Sequence, residues 1–418
     1  MGGCVAMSAS AQETKQSQDL SVELNPVVVT GTGTHHRLKD TPTPVEVVTA
    51  NDIKKAGITD FREAMTALVP SLSFSTNSMG DYLMLNGLSN KYVLILINGK
   101  KLTGDSSNNI DLNRIDMSNV KRIEVLKGAG SALYGSDAIG GVINIITNQP
   151  INDITVTSNT KVEERGQFTQ TANVDIKTEK FASYTSYQRR QSDGWTLTRV
   201  DADGEARDQH DANAFYTDNY TQMFQFTPND KLSMYVEGSY YDRTVKRQPE
   251  YLKYNLTYDA YSLGAGAKYN FNKRSYIQFD IKNDNYDTNY LYTNEDGDNK
   301  VGDEVRQKRQ HYYSGNLKSL FRFTENTRTI FGVEYIQETL DRPSFNVDER
   351  AYTWAAYAQE EITLFKNLQI QAGLRYVYHE TAKSNVTPKL AVMYRLGDFT
   401  IRGQYSACLL YTSPSPRD

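Results

Sequence analysis

No stretch of this sequence approaches the roughly 20 consecutive apolar residues that a membrane-crossing helix needs. The longest, residues 92–97 (YVLILI), has the length of a single strand. Helical membrane spans are thereby excluded, but a β-barrel is not, because a barrel hides its lipid face in alternate residues and keeps mean hydropathy low. Here mean hydropathy is -0.60. Cysteine is nearly absent. Cys4 and Cys408 lie near opposite ends, which argues against both a disulfide framework and thiolate metal spacing. There are five histidines, and no Ser/His/Asp or Cys/His arrangement or carboxylate pair of defined spacing stands out. The chain is therefore not expected to be an enzyme, and no catalytic residue, metal site or resident cofactor is assigned. A formal charge of -4 gives no reason to expect nucleic acid.

What is present in excess is tyrosine, 29 residues against 15 phenylalanines. Tyrosine suits a membrane–water interface, where one end of the ring is apolar and the other wet. A tyrosine-rich soluble β-protein would show the same count. At 418 residues the chain has room for more than one domain. Residues 1–11 (MGGCVAMSASA) end in an A-x-A-like pattern and read as the remnant of a signal peptide, a lipoprotein signal cut at Cys4 being the alternative. Residues 408–418 (CLLYTSPSPRD) break the preceding pattern and resemble translated sequencing adapter, a non-biological tail.

Residues 12–25 are polar and aperiodic, as in a mobile arm. A short β-branched run ending in glycines follows at residues 27–34 (VVVTGTGT). Residues 42–48 read as a strand. Thr59 is placed to cap a helix carrying Phe61, Ala64, Met65 and Leu68 on one face, which Pro70 ends. Strands are expected at 83–85, 92–97, 120–126 and 141–147, with Asn98-Gly99 as a hairpin turn. These make an α+β unit of ordinary domain size. Beyond Pro150, segments of about ten residues alternate with period two. Residues 275–282 place Ile277, Phe279 and Ile281 on one face and Gln278, Asp280 and Lys282 on the other. Residues 232–240, 329–335 and 368–378 repeat the pattern, with short turns such as 270–273 and long polar loops such as 194–213 and 293–306.

Residues 92–102 (YVLILINGKKL) and 110–147 (IDLNRIDMSNVKRIEVLKGAGSALYGSDAIGGVINIIT) closely resemble the plug domain of TonB-dependent receptors. Asn86-Gly87 stands where that family usually has Arg-Gly, and Ala129 where it usually has Pro. The resemblance implies an α+β plug domain followed by a transmembrane antiparallel β-barrel, here incomplete, with about a dozen of about 22 strands. The implied division is a flexible arm at 12–40, a plug at 41–150 and a partial barrel at 151–407. It implies that Val27, Val28, Val29, Thr30 and Gly31 form a TonB box, an exposed strand that pairs with the periplasmic protein TonB by β-augmentation. Arg122 and Glu124 would ion-pair with charges on the inner barrel wall and lock the plug in place; a merely solvated face is the alternative. Met79 and Tyr82, at the expected plug apex, become candidates for ligand contact, with ordinary packing as the alternative. The partners implied are TonB with its ExbB/ExbD energising complex, outer-membrane lipid and a small-molecule metal chelate, and the chain is expected to be a monomer.

The function implied is active import across the outer membrane of a Gram-negative bacterium. The cargo would be an iron–siderophore complex, otherwise haem or cobalamin. A passive porin or surface-binding protein is the rival reading. The glycines at 128–141 lack a GxGxxG or a Lys-Ser/Thr ending and read as turns and close packing. Asp201, Asp203, Glu205, Asp296, Asp298 and Asp303 fit no EF-hand spacing and read as solvated loops.

Overall fold

The computed structural model describes residues 5–9, 27–33, 36–77, 80–106, 109–128, 130–200, 204–247, 252–365, 367–397 and 399–407. The expectations placed on residues 12–25, Met79, Ala129, Asp201, Asp203 and the tail at 408–418 fall outside these.

The first unit is built on a five-stranded sheet in the order Val45–Thr49, Val120–Lys127, Gly141–Thr147, Val93–Ile97, Lys100–Lys101. Its central strands alternate with period two, so each face has its own packing partner. One face presents Ile123, Val125, Ile143, Ile145, Val93 and Ile95 to the helices. Helix Phe61–Leu68 buries Phe61, Ala64 and Met65 against that face. Burying the larger side chains contributes about 1.5–3 kcal/mol each. The helix is capped by Asp60, whose side chain accepts from the Glu63 N–H at 3.0 Å, one residue beyond the Thr59 expected from sequence. A second helix, Ala50–Lys55, was not anticipated. It is too short for an apolar stripe, and its signature is the Thr49/Asp52 capping box. Asn98-Gly99 turns the chain between Val93–Ile97 and Lys100–Lys101 with φ of 52° and 81°, as a type I′ hairpin requires. Asn86-Gly87 does the same at 51° and 80°. Asparagine tolerates this left-handed conformation better than arginine.

The second unit is a fourteen-stranded antiparallel sheet. Its strands from Ile154–Glu163 to Phe399–Ser406 follow one another in chain order, while Val5–Ala9 pairs beside the first of them. The edge strands Val5–Ala9 and Phe399–Ser406 do not pair with each other, so the described residues leave the cylinder open. Several strands are longer than the sequence pattern marked. Ser275–Tyr292 and Thr327–Arg342 continue well past the alternating apolar stretch. Only the part of a strand facing lipid has to alternate, so its polar continuation carries no apolar signal.

Two aromatic bands mark the outward face. Tyr187, Tyr220, Tyr240 and Tyr261 sit in register across four neighbouring strands. Tyr269, Phe271, Phe321 and Phe323 form the other band, with successive ring centroids 5.5–6.0 Å apart. Between Tyr261 and Tyr269 lie about 27 Å of strand, which at a barrel tilt gives roughly the height of an apolar membrane band. Exposed Val236, Leu263, Phe279 and Ile281 fill it. No helix among the described residues is long and apolar enough to cross a membrane.

Candidate functional site

The second face of the plug sheet carries Arg122, Glu124, Leu126, Val142, Asn144, Leu94 and Leu96, residues that alternate with the helix-facing set. Residues 27–33 lie across this face, between it and the barrel wall. Glu124 is the hub. Its Oε2 accepts the N–H of Val29 at 2.9 Å, the N–H of Thr30 at 2.8 Å and the Thr30 hydroxyl at 2.6 Å. Its Oε1 accepts Arg122 Nε at 2.8 Å. The side chain is wholly buried, so one cation and three arm donors together compensate its charge. Asn144 donates to the Thr30 hydroxyl oxygen at 3.0 Å, and the Tyr134 hydroxyl donates to the Thr30 carbonyl at 3.1 Å. Burial, followed by the Glu124 carboxylate, pushes the Tyr134 phenol well up and keeps it a donor.

The barrel wall grips the arm from the other side. Lys389 Nζ donates to the Gly31 carbonyl at 3.2 Å, Gln359 Nε2 to that of Thr32 at 2.7 Å, and Lys318 Nζ to that of Gly33 at 2.5 Å. The two glycines have different reasons to be there. A Cβ on Gly31 would meet Val45 Cγ2 at 2.9 Å, so the arm lies this close only with glycine. Gly33 has φ +75°, a conformation side chains rarely adopt, and its N–H closes a turn onto the Val29 carbonyl at 2.7 Å. Beyond the turn, Val27–Val28 pairs with His36–Arg37. The His36 ring lies 2.8 Å from Glu361 of the wall. A cavity of about 440 Å³ opens beside Val27, His36, Arg37, Asp40, Arg328 and Arg395.

Two expectations are corrected here. The run Val27, Val28, Val29, Thr30, Gly31 was expected as an exposed strand; instead Val28 and Thr30 are 1% and 0% exposed, and only Val27–Val28 is in a ladder. Arg122 and Glu124 were expected to meet charges of the barrel wall. They bond to each other, and Glu124 to the arm, because the arm is interposed between their sheet face and the wall. Tyr82 lies on the strand Gly80–Leu85, half-buried, on the face opposite Leu83 and Leu85, which point into the core.

The plug is seated on the wall elsewhere, by residues not singled out from sequence. Buried Asp111 accepts the hydroxyls of Tyr241 at 2.5 Å and Tyr286 at 2.9 Å, with Arg243 at 3.4 Å. Burial alone would raise its pKa, but Arg243 and the Tyr241, Asn113 and Tyr286 donors outweigh that and hold it below the usual carboxylate range. Asp284 of the wall accepts Arg114 at 2.7 Å, the Thr103 hydroxyl at 2.5 Å and Lys282 at 3.0 Å. Asp116 meets the Ser186 hydroxyl at 2.5 Å and Gln188 at 3.2 Å. The available signal was the run IDLNRID at 110–116, charges set among apolar residues. Above this seat the inner wall carries Phe215, Tyr258 and the stacked pair Tyr254–Tyr290, ring centroids 3.8 Å apart, with Arg243 over Phe215 and Tyr258.

Residues 37–142 match the TonB-dependent Receptor Plug Domain, and residues 165–409 match the TonB dependent receptor-like β-barrel. A vitamin B12 transporter of Vibrio cholerae is 35% identical over 123 residues, 29% of this chain and 20% of that protein. A ferric enterobactin receptor of Pseudomonas aeruginosa is 29% identical over 217 residues, 46% of this chain and 29% of that protein. Among solved structures, the siderophore receptor PirA of Acinetobacter baumannii superposes with a TM-score of 0.72 at 16% identity, covering 88% of this chain and 61% of that one. The aligned stretches thus span less than two thirds of each relative.

Proposed function

From the chain's membership of the TonB-dependent receptor family, we propose that it carries a scarce nutrient inward across the outer membrane, powered through TonB. The observation that carries this reading is the arm. Its residues 29–33 are held by side chains rather than by a strand ladder, so its main-chain groups become available for β-augmentation once it leaves the plug. The energy would reach it from the ExbB/ExbD complex through TonB, in the outer membrane of a Gram-negative cell.

For cargo we propose a ferric siderophore. The names of the relatives divide between cobalamin and ferric enterobactin. The inner wall above the plug, with Phe215, Tyr254, Tyr258 and Tyr290, supports an aromatic chelate, since rings stack. Iron-limited cells carrying the gene should accumulate radiolabelled ferric siderophore. Deleting TonB, or replacing Val28 and Val29 by proline, should abolish this, because proline has no N–H for the ladder. Uptake that persists after Val27 to Gly31 are deleted would favour a passive porin. Growth restored by haem or cobalamin but by no siderophore would replace the cargo.

A further inference from the structure

The wall's grip on the arm is chemically unusual. Lys389 is buried and Lys318 half-buried, and among the described residues neither forms a salt bridge; each donates its ammonium to one neutral carbonyl of the arm, at Gly31 and Gly33. Gln359 takes the carbonyl between them, at Thr32. The wall carboxylates that act on them are Asp280, which accepts the Tyr235 hydroxyl at 2.5 Å and the Gln278 amide at 2.7 Å, and Glu361, engaged by His36 at 2.8 Å and by Arg328 at 3.5 Å. A buried cation is stabilised far better by an anion than by a carbonyl dipole. We propose that Lys318, Gln359 and Lys389 form an oxyanion-accepting site on the inner wall which the arm occupies with three consecutive carbonyls, so that a carboxylate- or phosphate-like group reaching the wall displaces the arm.

This proposal rests on the transport reading for its purpose, though not for its test. The arm is stored by contacts from both sides, Glu124 taking its N–H groups and the lysines its carbonyls. An anion competes only for the second set. Release of the carbonyls removes three of the bonds that fix residues 31–33 and frees the turn at Gly33. The displaced main chain then regains the donors and acceptors that a partner strand needs.

The test uses the full chain with Cys4 and Cys408 replaced by serine and a reporter Val28→Cys, at a position 1% exposed while the arm is docked, reconstituted in lipid vesicles, with maleimide labelling rate as the readout. Inorganic phosphate is compared with chloride at equal ionic strength. Phosphate should raise the labelling rate about tenfold, the size of a modest coupling between two sites. In Lys318→Gln/Lys389→Gln the rate should already be high without phosphate and should not respond to it, while Lys318→Arg/Lys389→Arg should restore both the slow rate and the response. Equal rates in phosphate and chloride, or an undiminished phosphate response in the glutamine pair, would overturn the proposal. Because labelling needs neither TonB nor cargo, a failure here leaves the uptake experiment to judge transport separately.

Discussion

Glu124 and Thr30, 94 positions apart in the chain, are joined twice through one oxygen: the carboxylate accepts the Thr30 N–H at 2.8 Å and its hydroxyl at 2.6 Å. The strand that carries the family's plug signature is thereby the strand that holds the arm. The consequences of that arrangement are measurable.

Replacing Glu124 by alanine removes the acceptor of three arm donors and leaves the Arg122 guanidinium without its carboxylate. Breaking one side of a buried pair costs about 3–5 kcal/mol. Denaturant unfolding should show a loss of this order, together with faster proteolysis within residues 27–33. A loss no larger than that of an exposed Glu→Ala control, such as Glu325→Ala, would mean the carboxylate is not the hub.

Gly31→Ala should push the arm out while leaving the plug folded. Its Cβ would meet Val45 Cγ2 at 2.9 Å and the Thr43 carbonyl at 3.2 Å. Overpacking of this kind costs about 1–3 kcal/mol, and the arm can avoid it by leaving. Capture by a TonB C-terminal domain in the absence of cargo should rise in this variant. Unaltered capture would show that the close approach is not what keeps the arm docked.

The seat at Asp111 should be acid-sensitive. Its folded pKa lies below the ordinary value, so its contribution is present at pH above the unfolded pKa of about 3.9 and is lost as pH falls through the lower folded value. Unfolding free energy followed from pH 7 downward should decline below about pH 4. In Asp111→Asn that decline should be shallower and the neutral-pH stability lower. Parallel acid limbs in the two proteins would contradict the assignment.

Ile281 faces outward between the two aromatic bands, paired with Ala265. Arginine at this position should cost about 2–4 kcal/mol in a bilayer, read by folding titration into vesicles. Ile281→Val should cost far less. If arginine is tolerated as well as valine, that face does not meet lipid.

The sequence alone determined the class of both units. Period-two alternation at residues 275–282 and 368–378, with tyrosine in excess, required strands with one apolar face, and Asn98-Gly99 required a hairpin. It also put Arg122 and Glu124 on one face of their strand, because neighbours in a strand point to opposite sides. Which face that was, and what covered it, depended on contacts between segments far apart in the chain, and no local pattern encodes those. Thr30 meets Glu124, Asp111 meets Tyr241 and Tyr286, and Gly31 meets Lys389 only after the sheet has curved around the plug. The sequence marked the arm as β-branched and therefore able to pair. Tertiary structure decided that the arm is buried instead, because two glycines let it lie flat where a carboxylate on one side and ammonium groups on the other satisfy its main chain.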